Sequence, residues 1–129
     1  MKYNNVIVFG AIAALLSVAL GAFGSHGLEN VLNAKQHKTF ETAVRYQMYH
    51  AIALLFVGLL LKTNAVKLLK ICAILFTLGI IIFSGSLYVL IALQVNGFNN
   101  FNIIGAITPL GGLCFIAGWL CLAISIKKI

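Results

Sequence analysis

Three stretches of the chain, residues 6–24, 71–93 and 103–126, carry no charged side chain and are apolar almost throughout. A helix of about 20 such residues crosses roughly 30 Å of hydrocarbon. Each stretch therefore qualifies as a membrane span by itself. Composition points the same way: 62% of residues are hydrophobic and only 9% are charged, with a mean hydropathy of +1.08. A water-soluble domain of this size needs more polar surface to cover its core, and lipid removes that need. A chain of 129 residues is enough for one domain.

A fourth apolar run is shorter, and it is the most informative. Residues 51–61 give 11 strongly apolar residues, which reach only about 16 Å at 1.5 Å per residue. To span, this helix must extend upstream through His50, Gln47 and Arg45 to about Thr42. Polar side chains are thereby placed at membrane depth, with Arg45, Tyr46 and Tyr49 as an interfacial anchor. The alternative is a half-span or re-entrant segment. The expected fold class is all-α: one domain, residues 1–129, forming an integral membrane four-helix bundle with helices at about 6–24, 42–61, 71–93 and 103–126. A short polar, partly helical segment separates helices one and two, because Leu28, Val31 and Leu32 recur at helical spacing. Glu41 and Arg45 stand four apart, as a pair on one helix face would; a solvated surface pair is the expected reading.

Nine Lys plus Arg against two acidic residues give a net charge of +7. The cations flank apolar segments instead of forming a basic stripe interleaved with exposed aromatics, so they suit membrane lipids and orientation, not nucleic acid. Lys2, Lys62, Lys67, Lys70, Lys127 and Lys128 fall on one side, and Lys35, Lys38 and Arg45 on the other. Six against three predicts a multi-pass protein of the cell membrane with both termini cytoplasmic. The loop of residues 94–102, with Asn96, Asn99, Asn100 and Asn102, then faces outward. The first run also imitates a signal peptide, but its length and its packing stripe favour a retained helix. Cys72, Cys114 and Cys121 are odd in number, lie inside apolar runs and form no CxxC, so neither a disulfide nor a zinc site is expected.

Small residues recur at spacings of four and three in helix one, at Gly10, Ala14, Ser17, Gly21 and Gly24, and in helix four, at Gly111, Cys114, Gly118, Cys121 and Ser125. Such stripes let backbones approach closely in lipid. Each is expected to make a close helix contact, and the two are candidates to pack on each other. A pore lined by small residues is the weaker reading.

Chemistry-bearing residues gather in the outer half. His50 lies roughly 16 Å from the inner end of helix two and Gln47 a turn further out. On antiparallel helix three, Ser84 reaches about the same depth, with Ser86 and Tyr88 beyond. Thr108 lies just inside the outer end of helix four, next to Pro109, which frees the carbonyl of Gly105. His26 ends helix one. The candidate polar cluster is therefore His26, Gln47, His50, Ser84, Ser86, Tyr88 and Thr108. His50 is expected to face the bundle interior and to bond Ser84 or Tyr88, because an unsatisfied imidazole in lipid is costly. Catalytic templates fit poorly: the chain has no Asp, a Ser84–His50 dyad lacks an acidic orienting group, and His26, His37 and His50 match no metal spacing. No catalytic residue, metal or cofactor is expected.

Five segments in order carry a resemblance: GAFGSHGL at 21–28, YQMYH at 46–50, FSGSLY at 83–88, ITPLGG at 107–112 and Gly118-Trp119. Together they closely resemble the small bacterial membrane proteins of domain-of-unknown-function family 423, also called uncharacterised protein family 0382, related to eukaryotic transmembrane protein 256. The resemblance covers nearly the whole chain. It implies a multi-pass membrane protein and no established activity, and the candidate polar residues fall inside its motifs. Ser25 departs from the Ala associated with that position.

The leading functional expectation is a non-enzymatic membrane protein whose outer-half polar cluster binds or passes a small polar solute, a proton or a lipid head group. The alternative is a structural or accessory protein that packs through its small-residue faces on a second copy or on another membrane protein, with no ligand. An intramembrane enzyme finds least support. Side-chain direction discriminates them: convergence of His50, Ser84 and Thr108 on a cavity favours the first, and close packing favours the second.

Overall fold

The computed structural model describes residues 2–64, 66–98 and 102–128. Among them are four long helices and no strand: Tyr3–His26, Ala34–Thr63, Lys67–Val95 and Asn102–Ile126. All four are long and apolar enough to cross a membrane, and the protein is an all-α membrane four-helix bundle. The third helix contains a π-helical turn at Ile80–Ser84 between two α-helical halves. Asn99 and Asn100 of the predicted outward loop lie outside the described residues.

The second helix differs most from expectation. It starts at Ala34, not near Thr42, and its 30 residues extend for about 45 Å. A capping box starts it: the Gln36 backbone N–H donates to the Asn33 side chain at 3.0 Å, and the Asn33 N–H donates to the Gln36 side chain at 2.9 Å. Two donors that the first turn leaves free are thus satisfied reciprocally. The rod is continuous, so the re-entrant alternative does not hold. The separate interfacial helix expected around Leu28 and Leu32 is replaced by a tight turn over residues 27–33. Once Asn33 caps the next helix, too few residues remain for a helix of their own. Leu32 instead tucks into a small outer core with Phe40 and Ile91. The third helix stops where Gly97 takes φ +80. There the Phe98 N–H reaches Leu93 O and the Gly97 N–H reaches Gln94 O, both at 3.1 Å, the paired closure that glycine permits at a helix end.

Helices pair one with two and three with four. The first helix's stripe lies on the second helix: a Cβ at Gly10 would stand 3.1 Å from Ala51 O, one at Gly21 3.3 Å from a Val44 methyl, and one at Gly24 would meet the Phe40 ring. Ala14 is half-buried against the same core. The fourth helix's stripe lies on the third. Gly111 sits directly on the Phe83 backbone, Gly118 on the Phe76 ring, and the Cys72 thiol donates to Gly118 O at 3.3 Å. Cys121 packs beside them, and Cys114 is half-buried. The two stripes therefore do not pack on each other. Each is used up within its own hairpin, where sequence neighbours lie antiparallel and adjacent. An inner core of Val6, Leu54, Val57, Leu69, Phe76, Phe115 and Leu122 joins the hairpins.

Candidate functional site

The outer half of the second helix is where the hairpins meet through polar side chains. Gln47 is 5% exposed and reaches both ways. Its Nε2 donates to Ala13 O of the first helix at 2.9 Å, and its Oε1 accepts from the Tyr88 hydroxyl of the third at 3.0 Å. One amide thus ties three helices. One turn out, two serines from opposite sides bond successive carbonyls of the second helix: Ser84 Oγ donates to Ala43 O at 2.9 Å and Ser17 Oγ to Val44 O at 2.8 Å. Ser84 ends the π turn, which closes with the Gly85 N–H on Ile80 O. Ser86 and Thr108 share a hydrogen bond at 2.7 Å, each within reach of a carbonyl of its own helix, Phe83 O and Ile104 O. They join the third and fourth helices next to Pro109.

His50 is 4% exposed, as the short apolar run requires, but its partner is not the expected one. Ser84 and Tyr88 bond elsewhere. The ring is held instead by the fourth helix, where Trp119 Nε1–H donates to His50 Nε2 at 3.2 Å. Nδ1 stands 2.7 Å from Tyr46 O. A carbonyl only accepts, so Nδ1 carries the proton and Nε2 is the acceptor; the two contacts specify one neutral tautomer. Phe115 stacks on the imidazole at a 3.4 Å centroid distance and 8° tilt, and Phe76 closes a third side at 5.5 Å. Phe115 and Trp119 were missing from the expected cluster. A Trp N–H in a lipid-embedded helix needs an acceptor, and that was the available signal. Depth along the membrane normal does not distinguish helix three from helix four as the neighbour of His50.

The remaining expected residues separate. His26 is exposed at the end of the first helix and takes no part in the cluster. Glu41 and Arg45 approach only to 4.0 Å, with side chains 68% and 53% exposed.

His50, Ser84 and Thr108 converge on packed side chains and backbone, not on a cavity. Among the described residues, no buried side-chain nitrogen or oxygen lacks a partner, and no three His, Cys, Asp or Glu side chains stand close enough to hold a metal. Free space lies elsewhere. A cleft of about 380 Å³ between the first and third helices touches Gln47 and Tyr88, but apolar side chains such as Phe9, Leu16 and Ile81 line the rest. A wider space, about 680 Å³, is an open groove between the first and second helices.

Comparison with known proteins places the chain among membrane proteins. The family described as protein of unknown function (DUF423) matches residues 20–112, which takes in the helix-one end, the whole second helix and the π turn. A UPF0382 membrane protein of Staphylococcus saprophyticus is 47% identical over 123 residues, 95% of this chain and 97% of its own length. One from Bacillus subtilis is 43% identical over 95% of both chains, and one from Haemophilus influenzae is 40% identical over 93% of this chain and 91% of its own. No solved structure matches.

Proposed function

The chain belongs to the DUF423 family and is a relative of the UPF0382 membrane proteins; from that premise we propose that it is a non-enzymatic scaffold of the cell membrane. In this reading the buried polar cluster is a clamp between helices and not a path for a solute or proton. Both termini lie on the cytoplasmic side, by the excess of cations on that side. The apolar outer surface meets lipid and a membrane-protein neighbour or a second copy.

The observation that supports it is that, among the described residues, every buried side-chain nitrogen and oxygen of the cluster has a hydrogen-bond partner inside the protein. Gln47, Tyr88, Ser84, Ser86, Thr108 and His50 each bond another helix. A transport path needs groups that can exchange partners with water or solute. Here each exchange would leave a polar atom unsatisfied in a low-dielectric interior.

Liposomes containing the purified protein and an entrapped pH dye test the reading. Their imposed proton gradient should decay no faster than in protein-free liposomes, while Gln47→Leu should lower the melting temperature in detergent. Faster decay that Gln47→Leu abolishes at unchanged melting temperature would replace the scaffold with a conduction pathway. Reporter fusions at residue 129 and in the 94–102 loop test orientation; an exported C-terminal reporter would reverse it.

A further inference from the structure

One hydrogen-bond donor of the clamp has no acceptor. A primary amide carries two N–H donors and a carbonyl acceptor. Gln47 uses one N–H on Ala13 O and its Oε1 on the Tyr88 hydroxyl; among the described residues nothing accepts the second N–H. Ala13, Gln47 and Tyr88 all line the cleft of about 380 Å³, so the amide lies across its floor, with the first helix on one side and the third on the other. Along the first helix the cleft runs from Phe9 to Leu20, about 16 Å. On the opposite side the π turn contributes Ile80 and Ile81, and Gly85 directly after it leaves the wall open, since a Cβ there would meet nothing within 4 Å. Along the second helix Gln47 stands about 20 Å from Ala34 and about 24 Å from Thr63. With that helix centred on about 30 Å of hydrocarbon, the amide lies more than about 10 Å inside either edge.

We infer that this cleft binds a lipid-soluble carbonyl compound, a ketone or quinone, whose oxygen accepts the second N–H of Gln47 while its apolar part lies against Phe9, Leu16 and Ile81. The donor and the walls select that chemistry together. An N–H without an acceptor in a low-dielectric interior is costly, so an occupant that brings an acceptor is favoured over one that does not. A hydrocarbon chain fits the walls but brings none. Phospholipids carry their oxygens in the head group and ester linkages, at the edge of the hydrocarbon, and Gln47 lies too deep for them. A soluble solute would find apolar walls. A helix of a second copy is too large: over 16 Å a rod about 10 Å across occupies roughly 1,200 Å³, about three times the cleft. The ligand takes only the proton that the clamp does not use, so Gln47 keeps its bonds to both helices. The site therefore does not rest on the scaffold reading, and proton leakage and ligand retention are separate measurements.

The test compares probes that differ only in the acceptor. The full-length protein in detergent is equilibrated with 8-pentadecanone, with decyl-1,4-benzoquinone or with pentadecane, purified again, and its bound probe measured by gas chromatography. At least one carbonyl probe should be retained about tenfold over pentadecane, the scale of one buried hydrogen bond. Retention of the ketone alone assigns the site to chain ketones, and of the quinone alone to quinones. With a carbon-13 carbonyl, the retained probe should show an infrared band shifted to lower frequency, the mark of an accepted hydrogen bond. Gly85→Leu fills the cleft from a right-handed helical position with open space around it. It should remove every probe while the melting temperature is kept. Gln47→Leu, assayed below its own melting temperature, should bring the carbonyl and hydrocarbon probes to parity and abolish the shifted band. Equal retention of all three probes by the wild type overturns the proposal, and so does a preference that Gly85→Leu or Gln47→Leu leaves unchanged. Loss of a dimer in Gly85→Leu, with no carbonyl preference in the wild type, would assign the cleft to a second copy instead.

Discussion

The second helix has two polar faces within about four turns, and they are built on opposite principles. One carries Gln47 and His50, about 5% exposed, each bonded to other helices. The other carries His37, Glu41 and Arg45, open to a groove and loosely paired. Both look alike in sequence, as polar residues at helical spacing near an apolar run. What separates them is whether each polar side chain is bonded to another helix inside the protein. A polar residue at membrane depth is expensive, and here the expense is offset by interhelical bonds. A site for something else requires capacity left over together with space.

The contrast is sharpest where substitution breaks the packing that holds the clamp in place. Gly111→Leu should have the largest effect, because any Cβ there collides with the Phe83 backbone within the π turn. Backbone cannot rotate away as a side chain can, so the loss should be about 3 kcal/mol or more. Gly118→Leu meets the Phe76 ring and should cost less, whereas Gly21→Leu meets only a Val44 methyl at 3.3 Å and has the groove to expand into. Melting temperatures in one detergent should fall in that order; equal losses would mean that the groove side is packed as tightly as the clamp side.

His50→Ala should come next, at about 2–4 kcal/mol, from a cavity under Phe115 and a stranded Trp119 N–H. The second contribution can be isolated. Trp119→Phe removes the orphaned donor, so in the His50→Ala background it should restore part of the stability that it costs in the wild type. Strict additivity of the two changes would show that the 3.2 Å contact carries no coupling. Tyr88→Phe is smaller, about 1 kcal/mol, since it deprives Gln47 Oε1 of its donor while keeping the ring in place against Phe40.

These residues also show how far the sequence could be read. The spans followed from run length, and the burial of His50 followed from the shortness of residues 51–61, because a helix must cross the full hydrocarbon whatever its composition. The start of the second helix was misplaced because Lys35, Lys38 and Glu41 look like a solvated linker. The Asn33–Gln36 spacing held the contrary signal, a reciprocal cap three residues apart. The partners of the stripes and of His50 were not legible. A small-residue face fits any helix that presents a complementary surface, and depth fixes the level of a side chain without fixing its azimuth. The π turn adds a further shift, since one wider turn re-aims Ser84 and all that follows. The groove was invisible for a related reason: it depends on what Gly21 and Gly24 lack, once the second helix has been laid across them.

The smallest expected effect tests the comparison most directly. Arg45→Gln should change stability by no more than about 0.5 kcal/mol, because the side chain is 53% exposed and its contact with Glu41 stands at 4.0 Å, where ion pairs contribute little. Glu41→Gln should be equally silent. Residues 45 and 47 are near neighbours on one helix, so any difference between Arg45→Gln and Gln47→Leu cannot arise from depth or helix propensity. It must come from what each side chain touches. Gln47→Leu deletes bonds to two helices, and the same melting curve should register it clearly. A loss at Arg45 as large as that at Gln47 would show that the open face is bonded as firmly as the closed one, and the division of the second helix into a clamp and a groove would fail with it.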